Sequence, residues 1–282
     1  MITPRSRLRP AVLLLAVGAV AYSSWILEIA LPTRLSTVNG FASELFAADQ
    51  PYRWVFGGLD IVAGVCAALA AVLVLSATFG PRPAVRWAYL GWAALAVFGV
   101  ATVLDVVFPL DCAPSLAGCK AREQAGRLSF THDVHLVTSV VANIAALVAI
   151  CALWRAARAG TVRPSVSRTA GAVLFWIALA ATLTTTLLSL HDMRVDVPAF
   201  LTRGQGVPQR VQVGLIALWM AVAAASLRRG SRTGRDDGAR TGTSGAGSGR
   251  TTWQSQAAGR RVSSSVWTAS SSTPSDRAAG LP

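Results

Sequence analysis

The stretch WVFGGLDIVAGVCAALAAVLVLSATF, Trp54–Phe79, carries one acidic residue, Asp60, and no basic one. It is longer than the roughly 20 apolar residues a helix needs to cross the hydrocarbon core. Backbone polar groups have no water to turn to inside lipid. A segment of this kind is therefore expected to be helical.

Five more segments read the same way: Pro10–Leu31, Arg86–Phe108, His132–Trp154, Thr169–Leu190 and Val211–Leu227. The fold expected is an all-α, polytopic membrane bundle of six transmembrane helices. Residues 1–9 form a basic N-terminus, residues 10–228 the membrane domain, and residues 229–282 a Gly/Ser/Thr/Arg-rich tail. The tail holds too few apolar residues to fold and is expected to be disordered. The chain is 53% hydrophobic and 14% charged, too few charges to cover a soluble domain of 282 residues.

The first segment also supports a second reading. Arg5, Arg7 and Arg9 precede an apolar run that includes Ala19-Val-Ala21, as in a cleavable signal peptide. The run continues through Trp25, Ile26 and Leu27 to Leu31, long enough to span, and we read it as a span.

The formal charge of +13 does not point to nucleic acid. The basic residues lie in loops between apolar blocks and form no stripe with interleaved aromatics. Their distribution sets an orientation instead. The N-terminus, the loop with Arg82 and Arg86, the loop with Arg155, Arg158, Arg163 and Arg168, and Arg228 and Arg229 carry no acid. The alternate loops mix signs. By the positive-inside rule both termini are cytoplasmic, and the plasma membrane is the expected location. The partners expected are the bilayer and, for the basic loops and tail, anionic lipid headgroups.

With that topology, the intramembrane ionisable residues fall near one leaflet. Glu28, Asp60, Asp105, His132, Asp133, His135, His191, Gln209 and Arg210 all lie within roughly 10 Å of the outer boundary, at about 1.5 Å per residue. Each charge costs roughly 2.5–3.5 kcal/mol inside lipid, so such groups usually face a shared cavity and pair there. His132, His135, Ser139 and Asn143 fall on one helical face. Gly57, Asp60 and Gly64 share another, where small residues allow close helix packing. We expect a polar pocket open to the extracytoplasmic side. Arg210 is either an interfacial anchor or the counter-ion of a buried carboxylate.

Three chemistries fit these residues. His132, His135 and His191 could ligate zinc, with Asp60 or Asp105 as ligand or general base, in a membrane-embedded hydrolase or transferase acting on lipid or envelope substrates. The His-x-x-His spacing is short and lacks the glutamate of the metalloprotease motif. The same residues could relay protons in a transporter or channel, though the inner half offers no polar path. A non-catalytic sensor or assembly partner is the third reading. The residues leave open whether the protein is an enzyme.

Cys66 and Cys151 fall inside apolar blocks and read as packing residues. Cys112 and Cys119 share a loop that the topology places in an oxidising compartment, where they are expected to pair. Pro114 and Gly118 suit such a closed loop.

Four stretches carry a resemblance: Ser43-Glu44-Leu45; Phe108-Pro-Leu-Asp-Cys-Ala-Pro114 with Cys119; His132-Asp-Val-His135; and Gly206-Val-Pro-Gln-Arg210. In these, over about residues 10–228, the chain resembles the domain-of-unknown-function 998 family of multi-span bacterial membrane proteins. The resemblance implies a polytopic membrane fold and transfers no activity.

Overall fold

The computed structural model describes residues 4–77, 85–160, 168–192 and 204–243, without the side chains at 4–7, 85, 168–169, 186, 188–192 and 230–243. The described residues form seven α-helices and no strand. They are α1 (Pro4–Ala21), α2 (Arg53–Ala77), α3 (Val85–Val107), α4 (Ala117–Gln124), α5 (Phe130–Arg158), α6 (Arg168–Asp192) and α7 (Gly206–Thr243). Two 3₁₀ turns, Ser24–Ile29 and Ala42–Phe46, lie between α1 and α2.

Among the described residues, five segments are long and apolar enough to cross a membrane: Leu8–Ile29, Arg53–Ala77, Arg86–Val107, Phe130–Arg158 and Gly206–Arg229. The sixth expected span falls in α6, where the apolar run among the described residues is the shorter Ala170–Thr185. The chain is thus a multi-pass membrane protein. Helix α7 extends to Thr243, past residue 229 where the sequence places the start of the tail. The tail expected to be disordered lies, from 244 to 282, outside the described residues.

The first span is not one α-helix to its end, as the sequence suggests. The α geometry stops at Ala21, and Ser24–Ile29 continue as a 3₁₀ turn. The cause lies in Tyr22-Ser23-Ser24. Serine hydroxyls compete for helix carbonyls, and Ser23 Oγ donates to the Ala19 carbonyl at 2.9 Å. At three residues per turn, the tighter coil changes the direction in which Glu28 points.

Small residues hold the bundle together. Without water between them, helices in lipid gain most from close van der Waals packing, which small side chains permit. Ala67, Ala70 and Ala71 of α2 are completely buried, and α5 buries Ala142, Ala145, Ala146, Ala149, Ala152 and Ala156. At the α2–α3 crossing, a Cβ on Gly64 would sit 2.6 Å from the Gly99 carbonyl oxygen. Only glycine fits there. Larger apolar side chains such as Leu69 and Val72 point outward, as a lipid-facing surface requires.

At one end, the segments between spans fold into a cap. Its own apolar cluster joins Leu35, Leu45, Phe46, Phe56, Leu110 and Ala113. Cys112 and Cys119 are disulfide-bonded, with Cα atoms 5.4 Å apart. The sequence reads the chain after Cys112 as loop throughout, whereas Ala117–Gln124 form the short helix α4.

Candidate functional site

The acid that organises the cap is Glu44, fully buried in the second 3₁₀ turn. Its Oε1 accepts the Phe41 amide at 2.9 Å. Its Oε2 accepts the Ser115 amide at 3.2 Å and the Ser115 hydroxyl at 2.5 Å. One carboxyl thus closes its own turn and fastens the disulfide-bonded loop to it. Burial pushes its carboxyl above the usual range, against the opposing pull of Ser115, Phe41 and Arg210.

Asp111 fixes the other side of this loop. It accepts the Ser129 amide at 2.5 Å and the Ser129 hydroxyl at 2.7 Å. Burial raises the carboxyl of Asp111, but these donors, with His132 and Arg122, outweigh it and hold Asp111 below the usual range.

Helix α7 is bound to the cap through Gly206-Val-Pro-Gln-Arg210. Pro208 lies in the first helical turn, where its missing N–H costs nothing. Gln209 Oε1 accepts the Ala42 amide. Arg210 is the counter-ion of a buried carboxylate. Its Nε donates to Glu28 Oε1 at 2.5 Å and its Nη2 to Glu28 Oε2 at 2.7 Å. Its Nη1 donates to the carbonyls of Gly40 at 2.7 Å and Gly206 at 3.0 Å. A side chain at 206 would meet the Thr37 carbonyl oxygen at 2.7 Å, so the close approach needs glycine.

Beneath the cap lies a cavity of about 60 Å³. One water needs on the order of 10–15 Å³ by this measure, so the space suits a few waters or an ion. Helix α2 contributes Asp60, α3 Thr102 and Asp105, α5 Ser139 and Asn143, and α7 Gln209 and Gln212. Tyr22, Ser24 and Trp25 line it from the end of the first span, and Ser43 and Phe46 from the cap. Among the described residues, no basic side chain lines it. Asp105 accepts the Thr138 hydroxyl at Oδ1 and the Ser139 hydroxyl at Oδ2, the latter at 3.2 Å. Gln212 Nε2 donates to Asn143 Oδ1 at 2.8 Å, while Gln212 Oε1 is buried without a hydrogen-bond partner.

The polarity ends within one helical turn. Phe98, Ala146 and Ile216, each four residues from a lining residue of α3, α5 or α7, surround an apolar void with Leu95, Ile150 and Met220. Among the described residues lining that void, the one polar group is the indole N–H of Trp219.

Of the residues singled out from sequence, Asp60, Asp105, Ser139, Asn143 and Gln209 come together in this cavity. Glu28 and Arg210 do not line it and instead neutralise one another beside it. Asp133 is exposed, which corrects its placement in the pocket. The shared face expected for α5 divides in two: Ser139 and Asn143 reach the cavity, while His132 and His135 turn to backbone groups at the end of α3 and in the segment that follows it. No sequence motif picks out Gln212, Tyr22 or Thr102, and Glu44 enters only within the resembling stretch Ser43-Glu44-Leu45. For Gln212 the available signal was its position three residues from Gln209 on the same helix.

The two imidazoles adopt opposite tautomers. His135 Nδ1 faces the carbonyls of Asp105 at 2.9 Å and Phe108 at 3.2 Å. Carbonyls only accept, so Nδ1 carries the hydrogen. His132 Nδ1 accepts the Asp111 amide at 3.3 Å, so in the neutral ring Nε2 carries it. His132 could ligate zinc through Nδ1 only by giving up that amide. Among the described residues, no three His, Cys, Asp or Glu side chains are placed to hold a metal ion. The side chain of His191, the third expected ligand, lies outside the described residues.

No curated protein and no solved structure matches the chain. The family described as "Protein of unknown function (DUF998)" matches residues 15–226, which contain the four resembling stretches, the cap and the cavity, and the chain belongs to that family.

Proposed function

We propose that this is a six-span plasma-membrane protein, with both termini in the cytoplasm, whose carboxyl pair takes up and releases protons from the extracytoplasmic side as a non-catalytic sensor of that side's pH. One observation carries the reading: Asp60 and Asp105 line the same small cavity and, among the described residues, no basic side chain lines it with them. Two negative charges in a small, poorly polarisable space need compensating positive charge, and a proton is the smallest available. The Thr138 and Ser139 hydroxyls can reorient as Asp105 gains or loses a proton.

The layer one turn away favours sensing over transport, since beyond Thr102 the described residues lining the next void offer no acid, base or hydroxyl and only the indole N–H of Trp219. The size of the cavity weighs against a hydrolase acting on lipid, whose headgroup needs several times more room. The acid-free loops support the sidedness.

Infrared difference spectra of the full chain in lipid nanodiscs test the reading. A pH-dependent carboxylic-acid C=O band is expected in the wild type. It should weaken in Asp60→Asn and in Asp105→Asn and fall, in the double variant, to what Glu44 and the exposed carboxyls contribute. A band that persists unchanged in the double variant would assign the titration elsewhere and end the proposal.

A further inference from the structure

We propose that the same cavity binds a hard divalent cation, Ca²⁺ in preference to Mg²⁺, held by Asp60, Asp105 and the side-chain carbonyl of Gln212. This builds on the carboxyl-pair reading and names the ion that competes with the proton.

Gln212 supplies the evidence that is independent of the acids. It is 1% exposed and lines the cavity. Its amide nitrogen is satisfied by Asn143, but its Oε1 has no partner. Buried carbonyls almost always have one, and an orphan calls for a missing donor or ion. A proton on either carboxyl could serve one oxygen. A cation satisfies the orphan carbonyl and both carboxylates together.

The donor set selects the type of ion. Among the described residues, no histidine or cysteine lines the cavity, so these residues offer soft or borderline metals no imidazole nitrogen or sulfur there. The lining offers carboxylates, amide carbonyls and the hydroxyls of Tyr22, Thr102 and Ser139, which are ligands for hard cations. Charge selects the valence. Two carboxylates with no basic side chain among the described lining residues are balanced by one divalent ion, whereas a monovalent ion leaves a net negative charge in a poorly polarisable site. The shell selects the size. Mg²⁺ demands a near-ideal octahedron and releases its waters reluctantly, while Ca²⁺ accepts six to eight oxygens in irregular arrangements. These oxygens come from four helices with no common symmetry, and about 60 Å³ leaves room for an ion with few waters.

Proton and Ca²⁺ use the same two carboxyls, so each must displace the other. Ca²⁺ binding is expected to release protons and to be weakened by acid.

Calorimetric titration of CaCl₂ into the full chain in zwitterionic nanodiscs tests this. One saturable site is expected, with heats that differ between two buffers of unlike ionisation enthalpy because protons are released. Mg²⁺ should bind at least tenfold more weakly. Gln212→Leu should weaken Ca²⁺ at least tenfold, and Asp60→Asn and Asp105→Asn should each remove the saturable phase. Should Gln212→Leu fail to fold, Gln212→Glu, which adds a third carboxylate, should tighten binding. No saturable heat in the wild type would overturn the inference. So would equal affinity in the Asp60→Asn/Asp105→Asn double variant, which would mark an adventitious surface ion. The two proposals fail separately. A titrating acid band without Ca²⁺ binding removes the cation and leaves the proton reading. Ca²⁺ binding without an acid band does the reverse.

Discussion

Glu28 and Asp105 are acids set among apolar helices at the capped end of the bundle, yet they are handled differently. Glu28 meets Arg210 through two parallel N–H donors, and the guanidinium's remaining nitrogen is satisfied by two carbonyls. Every charge there has an opposite, and the pair joins the first span to α7. Asp105 has two hydroxyls and shares its cavity with Asp60, with no basic side chain among the lining residues. A fixed guanidinium gives a joint. A missing one leaves a place for something exchangeable. Burying an acid is not in itself a sign of function; what compensates it is.

The largest expected effect tests the joint. Arg210→Met leaves Glu28 buried without its partner, and breaking a buried pair this way costs about 3–5 kcal/mol. Arg210→Lys should recover only part of it, because an ammonium cannot present the paired donors that Glu28 accepts. Adding Glu28→Gln to Arg210→Met should restore most of the loss. Thermal unfolding in nanodiscs measures all three. A loss below about 1 kcal/mol for Arg210→Met would show that Glu28 finds another partner or water, and the contrast with Asp105 would fall.

Next in size is the disulfide. The Cys112–Cys119 bond closes a short loop, and the chain-entropy relation gives about 2.5 kcal/mol for it. Cys112→Ser with Cys119→Ser should lower stability by that order and loosen the segment from Asp111 to Ser115. Amide exchange should rise there, and also at Phe41–Glu44, because Ser115 is held by Glu44. Faster exchange confined to the loop alone would show that Glu44 does not couple the two.

The cavity should behave in the opposite way to the joint. Asparagine keeps the shape of Asp105 and can still accept a hydroxyl, so Asp105→Asn should change stability by less than about 1 kcal/mol while altering the proton response. Asp60→Asn should do the same. A loss as large as that of Arg210→Met would make Asp105 a structural residue and erase the distinction.

Hydrophobic run length made the membrane fold legible, because lipid leaves the backbone few choices. Helical spacing likewise found Ser139 and Asn143, which lie mid-helix where the period of 3.6 holds. It misled at helix ends. His132 and His135 share a face with Ser139, but α5 there emerges into the cap, and backbone groups at the end of α3 and in the segment that follows it take both rings. Glu28 was read as helical, yet the serines before it tighten the coil and turn it to Arg210. Glu44 gave no periodic signal at all, since its role depends on Ser115, brought close by a loop 71 residues away. Local rules locate what a regular helix presents; they do not locate what a folded connection brings over it.

Glu44 offers the finest test, as a third way of compensating a buried acid, chiefly by hydrogen-bond donors. Its carboxyl is held above the usual range by burial despite those donors. The folded state therefore keeps its proton over a window where the unfolded chain has lost it. Stability from this group is full on the acid side, falls as pH rises from the ordinary carboxylate value to the raised one, and then levels. Asp111, held below the ordinary range, acts with the opposite sign: its contribution is present above the ordinary value and is lost as pH falls through the lowered one. The cap should be most stable between the two windows, and acid and base should each loosen it from a different side. Glu44→Gln should flatten the upper slope of the unfolding temperature against pH and leave the lower one, while Asp111→Asn should do the reverse. If Glu44→Gln retains the upper slope, that slope belongs to another group, and hydrogen-bond donors alone suffice to hold this carboxylate charged under the cap.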